Sequence, residues 1–379
     1  MRMLVLGAGL QGSACAYDLL QHADVERVTI ADLKTDRLPP FLKAVRGKRL
    51  AAVKLNVKDA RALKKRMAGH DAVLCALPYY FNHSVARTAV AAGLHHADLG
   101  GNTDIVVEQK RKLHRAAVKK GVSVIPDCGL APGMVNVLAA EGIRRVADAE
   151  SVKIFVGGLP QHPEPPLNYQ IVYSLEGALD YYTTPSWVLR DGRPARVDAL
   201  SEIEYVDFPP PVGRLEAFHT GGGISTLPWA YQGKVRTMEY KTLRYPGHAH
   251  IMRAVRDLGL FDLKPISVKG TKIVPRDAFI TAVSPRLSKP GGRDLVALRV
   301  EVAGGNGRKV AWQLLDRYDE RRGISAMMRT TGYSLSITGI MQVDGRIAAP
   351  GVHTPDEAVP FGEYVRELAR RGIEIREIG

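Results

Sequence analysis

The chain has 379 residues, enough for two domains that each bury a core, and at 45% hydrophobic and 24% charged residues it reads as globular, with no apolar run near the roughly 18 residues that span a bilayer. Its formal charge of +14 raises nucleic acid as a partner, but the basic residues fall in short groups such as Lys64-Lys65-Arg66 and Lys110-Arg111-Lys112 on expected helix faces, with no basic tail or aromatic-interleaved stripe. Neither nucleic acid nor membrane is therefore expected as a partner; three cysteines (Cys15, Cys75, Cys128) fit no zinc or disulfide framework, and Met1-Arg2 runs straight into a strand-like segment without a cleavable signal, so a cytoplasmic protein is expected.

In chain order, Met3-Leu4-Val5-Leu6 is a short apolar run that ends in glycines, followed by helical spacing from Gln11 to Leu20. Further β-rich runs fall at 28–31, 50–55, 71–77, 95–99 and 122–125, separated by periodic helical segments at 60–67, 84–92 and 108–119. Buried strands alternating with helices predict a doubly wound parallel sheet of the Rossmann kind. The middle is broken by Gly157-Gly158, Pro163 to Pro166 and Pro209-Pro210-Pro211. Val296–Val302 and Val310–Leu315 flank Gly304-Gly305-Asn306-Gly307 and predict a hairpin, so the second domain is expected to be α+β with a mixed or antiparallel sheet. Ser325 to Met341 reads as a helix, and Pro360 to Arg371 as a final amphipathic one.

Gly7-Ala8-Gly9-Leu10-Gln11-Gly12 lies between the first strand and the first helix, the context a G-x-G-x-x-G motif needs. Gly7 would make the tight turn, Gly9 would admit the pyrophosphate, and Gly12 would let helix and strand approach. Leu10 and Gln11 open the helix whose free N–H groups would face the phosphates. Asp32 ends the second strand about 20 residues on, where a carboxylate accepts hydrogen bonds from ribose hydroxyls and repels a 2′-phosphate. NAD is therefore favoured over NADP, with Lys34 and Arg37 placed to tolerate the phosphate. Leu77, Pro78 and Tyr79 end the fourth strand and are expected at the carboxyl-edge crevice beside the nicotinamide ribose.

Several segments carry a resemblance. Ala97-Asp98-Leu99-Gly100-Gly101-Asn102, Asp127-Cys128-Gly129-Leu130-Ala131-Pro132-Gly133, Tyr173-Ser174-Leu175-Glu176-Gly177, Thr242 to His248 and Pro350 to Pro355 together resemble the saccharopine dehydrogenase family, most of all its lysine 6-dehydrogenase branch. The resemblance implies a dinucleotide-binding domain over 1–128, with 129–150 and 345–379 packing back on it, and a substrate-binding and dimerisation domain over 151–344. It also implies a homodimer acting on an amino-acid amine. Relatives specific for saccharopine carry an acidic residue where this chain has Ala131, which argues against saccharopine itself.

Oxidising an amine needs a base, a carboxylate clamp and a place for water. Arg244 is the expected clamp, because a guanidinium fork binds a planar carboxylate bidentately. His248 and Lys241 are ranked level as acid or base, although a strand over 236–245 would put Lys241 and Arg244 on opposite faces. Asp98, at a strand end beside Gly100-Gly101, is expected to orient or neutralise the substrate ammonium, with helix capping as the alternative. Cys128 and Gly129 are assigned to the substrate wall, Cys128 as a small packed side chain whose neighbours turn N–H groups to substrate. Tyr173 and Glu176 come from an aromatic helix-like segment, and the resemblance gives Glu176 the α-ammonium. The resulting expectation is an NAD-dependent enzyme that oxidises the side-chain amine of L-lysine, giving 2-aminoadipate 6-semialdehyde, ammonia and NADH. An imine-reducing enzyme of the saccharopine or carboxynorspermidine type, and a non-catalytic dinucleotide sensor, stay open beside it.

Overall fold

The computed structural model describes all residues except Arg37, Arg46, Ala147, Pro290, Asn306 and Gly379, so the expectations for Arg37 and for Asn306 at the hairpin tip lie outside the described residues. The first third alternates strand and helix: β1 (Arg2–Leu6), α1 (Leu10–Gln21), β2 (Arg27–Asp32), α2 (Pro40–Ala44), β3 (Leu50–Lys54), α3 (Ala60–Met67), β4 (Ala72–Cys75), α4 (Asn82–Ala92), β5 (His95–Asp98), α5 (Thr103–Lys120) and β6 (Ser123–Ile125). Residues 3–6 of β1 and all of β4 are buried in unbroken runs, as strands covered on both faces must be. The helices carry their own punctuation. Asn102 caps α5 by accepting from the Ile105 N–H at 3.1 Å, and α5 stops at Gly121 in the left-handed conformation.

The second region comprises α6 (Met134–Val146), β7 (Ala149–Pro160), α7 (Leu175–Thr183), β8 (Ser186–Arg190), β9 (Arg193–Val197), β10 (Glu204–Phe208), β11 (Gly213–His219), α8 (Leu227–Ala230), β12 (Thr237–Arg244), α9 (His248–Asp257), β13 (Ile266–Val268), β14 (Thr271–Ile273), α10 (Pro275–Leu287), β15 (Asp294–Gly304) and β16 (Lys309–Arg317). The chain closes with α11 (Ala326–Val343), β17 (Gly351–Val352), α12 (Pro355–Ala358), α13 (Phe361–Arg370) and β18 (Arg376–Glu377).

Two sheets organise the molecule. The first is parallel, ordered β17-β6-β5-β4-β1-β2-β3, with its reversal of direction between β1 and β4. It is the expected Rossmann arrangement, extended by one short strand from the C-terminal segment. The second is mixed, with path β10-β11-β12-β7-β15-β16-β18 and β8 and β9 beside β12. Within it β7 and β12 run parallel and β15–β16 form the expected antiparallel hairpin. The helix α11, which sequence reading grouped with the second domain, packs against α1, β4 and β5. Its Gln342 amide donates to the His96 and Ser123 carbonyls of β5 and β6. One continuous apolar core therefore runs from α1 through α6 and α11 into β7, β15 and β16.

Candidate active site

The glycine motif forms the expected cradle. Gly7 has φ +100°, and a Cβ there would meet the Ala76 carbonyl oxygen at 2.7 Å; a Cβ on Gly12 would lie 1.9 Å from the Gly7 oxygen. Gly9, in contrast, faces open space, with nothing within 4 Å of an added Cβ. No side chain caps α1 and no acidic residue occupies its first turn, which leaves its N–H groups and partial positive charge for an anion. Asp32 pins the loop: its carboxylate accepts from the Ala8 N–H at 2.7 Å and from the Lys34 N–H at 3.1 Å. It thus stands at the rim of the crevice between β1 and β2, and the residues present fit a dinucleotide. Leu77, Pro78 and Tyr79 follow β4 at the same edge, with Tyr79 half-buried and opening a short turn.

Beside this crevice a cavity of about 230 Å³ lies between the two sheets. The Rossmann side contributes Gln11, the loop after β5 (Leu99, Gly100, Gly101) and the loop after β6 (Gly129 to Ala131). The opposite side contributes β12 through Tyr240, Thr242 and Arg244, joined by Tyr173 and Tyr181. These β12 residues alternate with Lys241 and Leu243, as a pleated strand requires. A second chamber of about 290 Å³ shares Gly101, Tyr181 and Gly221 with the first and reaches Tyr79, Asp104 and Arg196.

Arg244 is the sole charged side chain lining the inner cavity among the described residues. It is 3% exposed, and its guanidinium donates to the Leu243 carbonyl at 2.8 Å and lies 4.8 Å from the centre of the Tyr169 ring. Its Nε has no partner, and no carboxylate pairs with it among the described residues. Burial opposes its charge, but the phenols of Tyr182, Tyr169 and Tyr173 more than offset that, so it stays cationic. A buried cation without a counter-ion is costly unless a ligand supplies one.

Other expected site residues are placed elsewhere. Lys241 projects from the far face of β12, where its ammonium donates to Glu204 Oε1 at 2.6 Å and to the Glu202 carbonyl at 2.8 Å. It belongs to an ion network with Glu202, Glu239, Arg190 and His219, and it is removed as an acid or base. His248 is also removed. It opens α9 fully buried, with Nδ1 3.1 Å from the Leu167 carbonyl and Nε2 3.0 Å from the Tyr182 hydroxyl. Because a carbonyl only accepts, Nδ1 carries the hydrogen and Nε2 accepts from Tyr182. Burial first, and the Arg244 charge second, lower its pKa to about 3, so it stays neutral. Its part is to hold Tyr182 against Arg244.

Asp98 is committed as well. Its carboxylate accepts from His96, Gln109 and the Gly100 N–H at 3.2, 3.1 and 2.8 Å, so it braces the strand ends; Asn102 caps α5 in its place, and Asp98 does not line the cavity. Cys128 turns its thiol to the Ile125 carbonyl at 3.1 Å and is packed in the core; burial pushes the thiol pKa well up, and Gly129, not Cys128, forms the cavity wall. Glu176 is exposed in the first turn of α7, outside both chambers, while Tyr173 lines the inner one.

Sequence reasoning missed Tyr181 and Asp127, and it gave Gln11 to the dinucleotide without its place in the cavity wall. Gln11 lines the cavity with a buried Oε1 that has no partner among the described residues. Tyr181 lines both chambers. Asp127, one residue before Cys128, is fully buried under Gly100, with neither carboxylate oxygen in a hydrogen bond of good geometry among the described residues. Its position after a parallel strand was the available signal.

Comparison with known proteins agrees with this architecture. Residues 3–125 match the saccharopine dehydrogenase NADP binding domain and residues 129–373 the saccharopine dehydrogenase C-terminal domain. The chain is 22% identical to the NADP(+), L-glutamate-forming saccharopine dehydrogenase of Schizosaccharomyces pombe, covering 99% of this chain and 98% of that protein. It is 22% identical to the mitochondrial alpha-aminoadipic semialdehyde synthase of Bos taurus, where it spans 47% of the longer protein. Among solved structures, the L-Glu-forming saccharopine dehydrogenase of Saccharomyces cerevisiae superposes with TM-score 0.81 at 22% identity over 100% of this chain and 99% of that one. A homospermidine synthase of Legionella pneumophila in complex with NAD gives 0.71 at 12% over 100% and 91%. With both domain families matched in order along nearly its whole length, the chain belongs to the saccharopine dehydrogenase family.

Proposed function

We propose that the protein is a nicotinamide-dependent oxidoreductase acting on an amino-acid amine, and that its reaction is the NAD-dependent oxidation of the side-chain amine of L-lysine. The single observation that carries this reading is Arg244, a buried guanidinium without a carboxylate partner, aimed into a cavity at the carboxyl ends of β5 and β6. It suits one substrate carboxylate, and among the described residues the cavity offers no second cation, which favours a monocarboxylate amino acid over a tricarboxylate such as saccharopine. The nicotinamide, when bound, accepts a hydride from the carbon that bears the amine. Arg244 fixes the far end of the substrate, the bare Gly100 and Gly101 leave room for that carbon, and Leu130, Val156 and Met327 keep the reacting centre dry. The amine nitrogen must first lose its proton so that its lone pair can expel the hydride. The iminium then takes up water and releases the semialdehyde and an ammonium ion. Asp32 supports NAD over NADP, since a carboxylate at the end of β2 beside the glycine loop repels a 2′-phosphate. The reading carries a homodimer with it, which the mass from light scattering tests.

The direct experiment is absorbance of the reduced cofactor with purified protein, NAD or NADP, and L-lysine. NADH growth with equimolar ammonia supports the proposal; none with lysine at any pH sinks it. A second reading, reduction of an imine formed from an amino acid and a semialdehyde, is favoured by the names of the relatives and by Arg196 in the outer chamber, which gives a second carboxylate somewhere to bind. Oxidation of NADPH with glutamate and the semialdehyde, in the absence of lysine oxidation, selects it.

A further inference from the structure

Two aspartates end adjacent strands beside the inner cavity, and their surroundings differ sharply. Asp98 has its oxygens filled by His96, Gln109 and the Gly100 N–H. Asp127 follows β6 with φ 63°, a left-handed conformation uncommon for a non-glycine residue, and among the described residues neither of its carboxylate oxygens has a hydrogen bond of good geometry, Ser225 and the Gly101 N–H being its nearest polar neighbours. The side chain lies so close beneath Gly100 that a Cβ there would sit 1.8 Å from Asp127 Oδ1. Gly100 and Gly101 both form the cavity wall, so only bare backbone separates this carboxyl from the cavity. An unsatisfied buried carboxylate is unstable unless it holds a proton or meets one.

The groups facing it set the direction of its titration. Burial is the largest influence and raises its pKa; Ser225, before α8, opposes the rise, Asp98 from β5 and Asp356 from α12 add to it, and the Gly101 N–H tempers it, for a value of about 7. The neighbouring Cys128 thiol is pushed well up and stays neutral. Tyr181, from α7, lies near enough for the Asp127 charge to raise its phenol. Two carboxylates with environments this different divide their roles, one bracing the strand ends, the other able to exchange a proton near neutrality.

We propose that Asp127 takes up and returns the proton of an amine bound in the cavity, with the Tyr181 hydroxyl as intermediary. Gly101 stands between the two groups: a Cβ on it would be 3.5 Å from the Tyr181 hydroxyl oxygen, and its N–H faces Asp127. Tyr181 lines the cavity and Asp127 does not, so the phenol is the group that meets the ligand. In the step, one ammonium N–H bond breaks and its proton passes to the Tyr181 oxygen as the Tyr181 proton moves to the Asp127 carboxylate. The amine keeps its lone pair, Tyr181 is neutral again and Asp127 becomes a neutral acid; the reverse transfer returns the proton. The inference rests on the amine reading of this cavity and adds to it the group that holds the proton.

The test uses the full chain and two readouts. Infrared difference spectra of wild type and Asp127→Asn across about pH 5 to 9 follow buried carboxyl protonation without any substrate, and pH profiles of kcat/KM are taken with NAD and L-lysine. The expected result is a protonated-carboxyl band that titrates near 7 in wild type and is missing in Asp127→Asn. In the same variant kcat/KM falls about 100-fold and its rise with pH disappears, while NADH binding is unchanged. Should Asp127→Asn fail to fold, Tyr181→Phe keeps the ring, retains the infrared band and loses the same limb of the pH profile. A band that persists in Asp127→Asn, or a pH limb that survives in both variants, overturns the proposal. Absence of amine turnover in wild type defeats the amine reading instead, and the infrared titration then decides alone whether Asp127 holds the proton.

Discussion

Arg244 shows how strand alternation sorts a cluster of cationic candidates. Lys241, Arg244 and His248 fall within eight residues of one another in sequence, yet only Arg244 faces the cavity. The alternation of β12 separates Lys241 from Arg244 and was legible in the sequence. What was not legible is that Glu202 and Glu204, nearly forty residues upstream, wait on the far face to bind Lys241. Nor does any local pattern show that α9 begins by burying His248 between Phe218 and Tyr169. These differences make separate predictions. Arg244→Lys keeps charge but loses the planar fork, and kcat/KM for the amino acid falls by about 100-fold, mostly through KM, with NADH affinity unchanged in calorimetry. Lys241→Met leaves kcat/KM within about threefold while lowering stability by roughly 1–3 kcal/mol in urea titration, since Glu204 keeps only Lys153 and the Glu202 carbonyl loses its donor. A His248 activity loss without change in its stability profile would contradict the structural assignment.

His248 carries its own pH signature. Its folded pKa lies near 3, below the ordinary value of 6.5. Between those values the unfolded chain binds a proton that the folded chain refuses, so the contribution to stability is complete above the unfolded pKa and is lost as pH falls. Melting temperatures of wild type should therefore drop between about pH 6.5 and 4 more steeply than those of His248→Gln, and parallel curves would refute the assignment.

At the scale of elements, the parallel sheet, the hairpin β15–β16 and the helices α11 and α13 all lie close to where periodicity put them, because each signal is local. The assignment of α11 to one layer was beyond reach, since both its faces are buried and its sequence has no polar stripe to orient it. Small residues decide its seat. A Cβ on Gly332 would meet the Gln11 carbonyl oxygen at 2.7 Å, and one on Gly339 would meet Leu74 at 2.6 Å. The first of these contacts ties α11 to the turn of α1 that opens the dinucleotide site. Gly332→Val is expected to weaken NADH binding by at least about tenfold and to lower Tm, read by fluorescence titration and calorimetry, because α11 must retreat and α1 follows it. Unchanged NADH affinity in a folded Gly332→Val protein would show that the two helices are not coupled in this way.

The whole molecule is closed by its C-terminal segment. β17 adds to the edge of β6, and the Arg371 guanidinium binds Asp18 of α1 at 2.7 and 2.8 Å and Glu367 at 2.6 Å. Glu367 also holds Arg346 and Arg370, but the almost wholly buried Asp18 is paired through Arg371, so Arg371→Ala leaves that carboxylate without its cation and should cost about 3–5 kcal/mol. This closure was expected from family resemblance and not from pattern, because the pairing joins residues more than three hundred positions apart. The same architecture makes the dinucleotide the hinge of the account: cavity, arginine and buried aspartate acquire a redox meaning only if the amino end of α1 holds its phosphates. Calorimetric titration of NADH and NADPH into wild type and Gly9→Asp tests this most directly. Saturable binding to wild type is expected, tighter for NADH, with at least about a hundredfold loss when a carboxylate fills the open space at Gly9. A folded wild-type protein that binds neither nucleotide would contradict this.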